Sequence, residues 1–220
     1  MDFSYRTTRR SFLLSLVLPW LAASLIAQDD WKARDLWQKP QEVMDVLGIK
    51  AGSSVADIGA GEGYFTFHLA QRVGSDGKVY AEDILADRLD KIRERASAER
   101  LSQIETILGA TDDPRLPAES VDVILVVNAY HEMRDHDAML RGMFRALKPG
   151  GLLAVIDAPA KPGQPRENYF ERHRIPEQFV RDDVARNGFA FLRRRPTFVP
   201  PDRDRTYFFL IFQKPPLNAP

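Results

Sequence analysis

The sequence predicts an α/β fold: a doubly wound, mostly parallel seven-stranded sheet with one antiparallel strand and helices on both faces. Three observations predict it. From residue 40 onward, strand-length apolar runs alternate with helix-length amphipathic runs, the pattern of strand–helix–strand units. Val121–Val127 reads as a strand of the buried parallel type. The last two strand-like runs, Phe189–Arg193 and Arg205–Gln213, have no helix between them, so they form a hairpin and one strand must run backwards. Composition agrees. The 220 residues are 44% hydrophobic and 28% charged, enough for one domain with a real core. Lys+Arg and Asp+Glu are both 31, so no basic excess points to nucleic acid. There is no cysteine, which excludes disulfides, thiolate metal sites and cysteine nucleophiles.

The elements follow in order. Arg6, Arg9 and Arg10 precede an apolar run from Phe12 to Ala27, the layout of a secretory signal peptide over residues 1–27. Pro19 and the shortness of the run argue against a spanning helix. Thr8-Arg9-Arg10-Ser11-Phe12-Leu13 looks like a twin-arginine export signature, which implies a periplasmic or cell-envelope location. With the signal removed, no stable membrane span is expected. Residues 28–39 form a polar linker or lid containing Trp31 and Trp37, residues 40–214 the main domain, and residues 215–220 a tail. Pro40 opens a helix through Leu47. Strands follow at Ser54–Ile58, Lys78–Glu82, Ile104–Leu108, Val121–Val127 and Leu152–Ile156. Helices are predicted at Tyr64–Arg72, Asp87–Arg100, Asp137–Leu147 and Pro176–Asn187; Pro149-Gly150-Gly151 stops the third and Gly188 the fourth.

The chemistry concentrates in Val55-Ala56-Asp57-Ile58-Gly59-Ala60-Gly61-Glu62-Gly63-Tyr64, between a predicted strand and a predicted helix. Glycines there adopt backbone angles other residues avoid and let a ligand reach the main chain. A dinucleotide fingerprint would place its third glycine where Tyr64 stands, which argues against a nicotinamide oxidoreductase. A pyrophosphate also prefers amides at a helix N-terminus to a nearby carboxylate. Asp57 and Glu62 suit a ligand carrying an ammonium or a sulfonium, with Glu62 equally readable as a solvated loop acid.

This segment resembles motif I of the class I S-adenosylmethionine-dependent methyltransferases, a Rossmann-like family. Val79-Tyr80-Ala81-Glu82-Asp83-Ile84 resembles the family's second strand and Val121 to Glu132 its fourth strand and tip. Leu147-Lys148-Pro149-Gly150-Gly151 resembles the turn before strand five, and the closing hairpin the reversed last strand. Together these motifs cover roughly residues 40–214. The resemblance implies S-adenosyl-L-methionine as cosubstrate. It implies in-line transfer of its methyl group to a small-molecule acceptor, leaving S-adenosylhomocysteine. The implied cofactor residues are Asp57, Gly59, Gly61, Glu62, Gly63, Asp83 and Asn128, with Glu82 the rival to Asp83 for the ribose hydroxyls. Where relatives carry Gly-Asp-Ala, this chain has Gly109-Ala110-Thr111-Asp112-Asp113. Adenine then falls to a backbone amide near Ala110, or to Asp112.

Tyr130 and His131 are the acceptor-side candidates, at the carboxyl end of the fourth strand. His131 is either a proton acceptor near neutral pH or a loop-ordering hydrogen-bond partner. Arg166, Arg172, His173 and Arg174 follow strand five, either as substrate readers or as a solvated face. His68, His131, His136 and His173 show no metal-ligand spacing, so no metal is expected. The export signal also supports an alternative: a non-catalytic binder of S-adenosylmethionine or S-adenosylhomocysteine on the same fold.

Overall fold

The computed structural model describes residues 31–195 and 206–217. The export signal and its cleavage site lie outside the described residues. The chain divides between Leu36 and Trp37; residues 31–36 of the first unit are helical. The second unit contains α1 (Pro40–Val46), β1 (Ser54–Ile58), α2 (Tyr64–Val73), β2 (Lys78–Asp83), α3 (Ala86–Ala98), β3 (Ile104–Leu108) and β4 (Val121–Val127). A 3₁₀ turn (Tyr130–Glu132), α4 (His136–Ala146), β5 (Leu147–Asp157), α5 (Glu167–Phe170), α6 (Glu177–Arg186), β6 (Ala190–Arg195) and β7 (Phe208–Gln213) complete it. Among the described residues, no helix is long and apolar enough to cross a membrane.

The seven strands form one sheet in the order β3-β2-β1-β4-β5-β7-β6. β7 runs antiparallel to both β5 and β6, and every other pairing is parallel. The order reverses between β1 and β4, and that switch point is where a ligand meets the carboxyl ends of the strands. Ile58, Ile124, Val126, Leu153, Val155 and Leu210 are buried along the sheet's middle. Leu140 and Met143 of α4 pack against this layer in the same core. The apolar side chains of β1, β4 and β5 thus form a rigid floor, and only the strand tips and loops present polar groups.

The largest shift from a predicted boundary is at the start of β5. The helix expected to run through Leu147 ends at Ala146, and the Pro149-Gly150-Gly151 turn lies inside β5. The pairing continues past the turn because Gly150 N–H donates to Lys214 O and Lys214 N–H to Gly151 O. Leu147 also pairs with Val121 across an irregular register. Hydrogen bonds to neighbours distant in sequence override the local turn signal. Trp37, expected in a lid or a brace, stacks on Tyr207 with ring centroids 5.7 Å apart.

Helix α6 is tied to the strand tips through one carboxylate. Asp183 is 1% exposed and accepts Tyr130 Oη–H at 3.0 Å. It is also gripped by both terminal nitrogens of Arg166, at 2.7 and 2.8 Å, and by Arg186 at 2.9 Å. A fork of this kind is among the stronger ion pairs. Removing one partner strands the others without a counter-charge. Asp183→Ala is expected to lower unfolding stability by about 3–5 kcal/mol in urea titrations. A loss below about 1 kcal/mol, the level of an exposed pair, would show the network to be dispensable.

Candidate cofactor site

The carboxyl tip of β2 and the loop after β1 build the site together. Gly59, Gly61 and Gly63 all have positive φ, at 68°, 58° and 87°. At Gly59 the reason is also steric: a Cβ would lie 2.4 Å from Ala129 Cβ. Only glycine lets the β1 loop pass this close to the β4 tip. Two consecutive acids of β2 then hold the loop. Asp83 Oδ2 accepts Gly61 N–H at 2.9 Å, and its Oδ1 accepts Leu85 N–H at 2.9 Å. Glu82 Oε2 accepts Gly59 N–H at 3.3 Å, and the Glu82 carbonyl accepts Ala60 N–H at 2.8 Å.

A cavity of about 310 Å³ opens at this switch point. Among the predicted cofactor residues, Gly59, Gly61, Asp83, Ala110 and Asn128 line it, and so does Glu82. Asn128 reaches the wall in a left-handed conformation, φ 54°, which asparagine tolerates better than most residues. Three other predicted residues stand off the wall. Asp57 is 3% exposed and accepts Thr66 Oγ1–H at 2.7 Å, which ties β1 to α2. Glu62 is a surface acid paired with Lys91 at 2.6 Å. Gly63 caps α2, where a Cβ would lie 2.8 Å from Phe67. The Ala110 amide is already donated to Asp113 O at 2.8 Å, so the expected amide contact to a ligand is not available there.

Glu82 is the residue the motif undervalues. Its side chain is buried and its Oε1 has no hydrogen-bond partner. Burial pushes its pKa up, the Gly59 amide pulls it down, and Asp83, Asp57 and Asp113 push it up again, to about 8. Glu82 lines the cavity, while its Oε1 packs against Gly109 without a protein hydrogen-bond partner. Two adjacent acids, Glu82 and Asp83, on the wall of a switch-point cavity can meet ribose hydroxyls or an exocyclic amine, so the residues present fit an adenosyl ligand.

The acceptor-side candidates separate. Tyr130, expected to face the acceptor, is fully buried with its hydroxyl on Asp183. Arg166 is likewise committed to Asp183, whereas Arg172 and Arg174 line an open groove beside Ala160 to Gln164. His131 is 3% exposed. Its Nδ1 meets Asp157 Oδ1 at 2.8 Å and its backbone N–H meets Asp157 Oδ2 at 3.1 Å. Its Nε2 faces His173 Nδ1 at 3.3 Å. Burial pulls its pKa down, but hydrogen bonds to Asp157 and Glu132 outweigh that and raise it to about 9. Asp157, wholly buried at the tip of β5, was not singled out from sequence. Its only signal there is position: an acid ending an apolar strand.

Comparison with known proteins agrees with this layout. The profile of the ubiE/COQ5 methyltransferase family matches residues 29–173. A demethylmenaquinone methyltransferase of Listeria monocytogenes is 31% identical over 129 residues, 58% of this chain and 54% of that protein. A ubiquinone/menaquinone biosynthesis C-methyltransferase of Idiomarina loihiensis is 29% identical over 169 residues, 71% of this chain and 64% of that protein. The chain thus spans about half to two thirds of the length of these curated relatives. The crystal structure of a SAM-dependent methyltransferase from Aquifex aeolicus superposes with a TM-score of 0.68 at 25% identity, covering 80% of this chain and 89% of that one.

The Glu82 carboxyl sets a pH dependence of stability. Its folded pKa of about 8 lies above the ordinary 4.5, so the folded state keeps a proton that the unfolded chain loses. The associated stability is full below about pH 4.5 and is lost as pH rises through about 8. Glu82→Gln is expected to flatten that decline in urea titrations between about pH 5 and pH 8. Equal pH slopes in variant and wild type would contradict the assignment.

Proposed function

We propose, from the premise that this chain belongs to the ubiE/COQ5 methyltransferase family, that it transfers a methyl group from S-adenosylmethionine to a small-molecule acceptor. The observation that carries this is the pair of adjacent β2 acids, Glu82 and Asp83, on the wall of the switch-point cavity beside the glycine loop. The named activities of the Listeria and Idiomarina relatives make a quinone-type ring the first acceptor class to test.

S-adenosylmethionine, when bound, supplies a methyl group already activated on a sulfonium. The protein's work is therefore to bind, orient and exclude water. Asp83 offers its carboxylate, and Glu82 its carboxyl group, to the hydroxyls or amine of the ligand. Gly59 and Gly61 let the ligand lie against the main chain. Ile84 and Leu85 give the cavity an apolar side, and Met133 and Met139 give it another near the β4 tip. Both ring nitrogens of His131 already face protein partners. Proximity and alignment, rather than proton removal by His131, then account for the transfer.

Export favours a second reading. The Arg9-Arg10 pair and the apolar run after it suit a protein sent out of the cytoplasm, where this cosubstrate is made. A binder that never turns over would fit that location. Release of labelled S-adenosylhomocysteine over many turnovers with a quinol acceptor would exclude it.

S-adenosylhomocysteine at saturating concentration is expected to raise the melting temperature of the purified protein. A folded sample that shows no shift would defeat the cofactor assignment. Asp83→Ala is expected to weaken binding by about 1–3 kcal/mol in calorimetric titration, since buried hydrogen bonds to a ligand are lost. Unchanged affinity would transfer that role to Glu82.

A further inference from the structure

The fold brings a distant histidine, His173, to two side chains that are neighbours in the sequence. His131 and Glu132 sit on the turn after β4, and His173 lies 42 residues beyond His131, after α5. His131 Nε2 and His173 Nδ1 are 3.3 Å apart. Glu132 Oε1 is 3.3 Å from His173 Nδ1 and 3.6 Å from His131 Nε2. We propose that these three atoms form a binding site for one divalent transition-metal ion, of the zinc or iron(II) type.

The distances carry the proposal. A tetrahedral cation about 2.0–2.1 Å from its ligands holds them about 3.3–3.4 Å from one another. The observed triangle has nearly those edges, so a cation just above its plane reaches all three atoms without rearrangement. The donor chemistry agrees, because two imidazoles and one carboxylate are a common set for zinc and for iron(II). The surroundings agree as well. Asp157 accepts from His131 Nδ1 at 2.8 Å and from its backbone N–H at 3.1 Å. That contact fixes the ring with Nε2 on the side of His173 and Glu132, as carboxylates do behind metal-bound histidines. Asp157 is itself wholly buried, so it cannot swing away. His173 closes the turn after α5 in the left-handed region, φ 48°, its backbone N–H donating to Phe170 O at 3.2 Å, which anchors it beside His131. A bound metal displaces any proton from the two rings, and the two ring nitrogens and the Glu132 carboxylate then give it three ligand atoms around one point.

Three protein ligands leave a coordination position open. Glu132 also lines the switch-point cavity. The open position therefore lies close enough to that cavity to take an oxygen of the acceptor, and this extension rests on the methyl-transfer reading. Bound there, a hydroxyl or carbonyl oxygen would be polarised and held in place.

The test uses tag-free full-length protein stripped with a chelator. Zinc is expected to bind at one equivalent per chain by elemental analysis after dialysis. Cobalt(II) is expected to give the visible absorption of a tetrahedral site. His173→Ala and Glu132→Gln alter exposed side chains, keep the far-ultraviolet spectrum of the wild type, and are expected to weaken binding at least tenfold. No stoichiometric zinc in the wild type, or equal zinc in His173→Ala, would overturn the proposal and leave a hydrogen-bonded trio. S-adenosylhomocysteine binding is measured on the same samples. Its retention without metal uptake overturns this inference alone, whereas metal uptake without it upholds the metal site and defeats the cofactor reading.

Discussion

Two carboxylates at the tip of β2 hold the site together by accepting backbone amides from the loop after β1. Asp83 takes the Gly61 amide and Glu82 the Gly59 amide. A loop of glycines has little reason of its own to keep one shape, since glycine loses more conformational freedom on ordering than any other residue. The β2 acids supply that reason. They sit in register with β1 because Ile58 pairs with Glu82 in the parallel ladder. The cavity is thus a consequence of strand pairing: the ladder delivers the acids to the loop, and the loop turns back under the tip of β4. The same arrangement explains why Glu82 is left with one idle oxygen. A buried acid that only braced the loop would gain nothing from keeping it free.

Much of this was legible in the sequence, for reasons that differ by element. The parallel strands are short apolar runs closed by loops, so β1, β3 and β4 could be bounded to the residue. The glycine loop was readable because its spacing constrains the backbone wherever it occurs. What failed to show was whatever depended on distant partners. Pro149-Gly150-Gly151 looks like a stop from within its own segment, and only pairing with Lys214 draws it into β5. Ala110 looked like a free amide until the loop folded it onto Asp113. Asp57 and Glu62 share a motif with Gly59 and Gly61, yet one turns inward to Thr66 and the other outward to Lys91. A spacing pattern fixes the backbone path; it does not say which side of that path a side chain takes.

The turn after β4 extends that lesson to chemistry. Its consecutive residues Tyr130 and His131 each engage a buried aspartate from a different part of the chain. Tyr130 reaches Asp183 on α6, and His131 reaches Asp157 at the end of β5. Charged groups this deep are tolerated only when paired. The turn is therefore fixed from two sides, with no freedom to rotate either ring toward the cavity. Tyr130 becomes part of the frame, and the second ring nitrogen of His131 is turned to His173.

What that nitrogen faces decides how the acceptor side should be understood. If His131 served only to order the loop, its bonds to Asp157 would suffice and the residues beyond it could be anything. Instead the chain returns after α5 with His173 and places a second imidazole against the first and beside Glu132. Two imidazole nitrogens and a carboxylate at mutual distances of 3.3–3.6 Å repel one another through their lone pairs unless protons or a cation lie between them. A buried carboxylate behind one ring, and a second imidazole and a carboxylate at its other nitrogen, are more than a loop brace would need. A bound cation gives each of them a purpose.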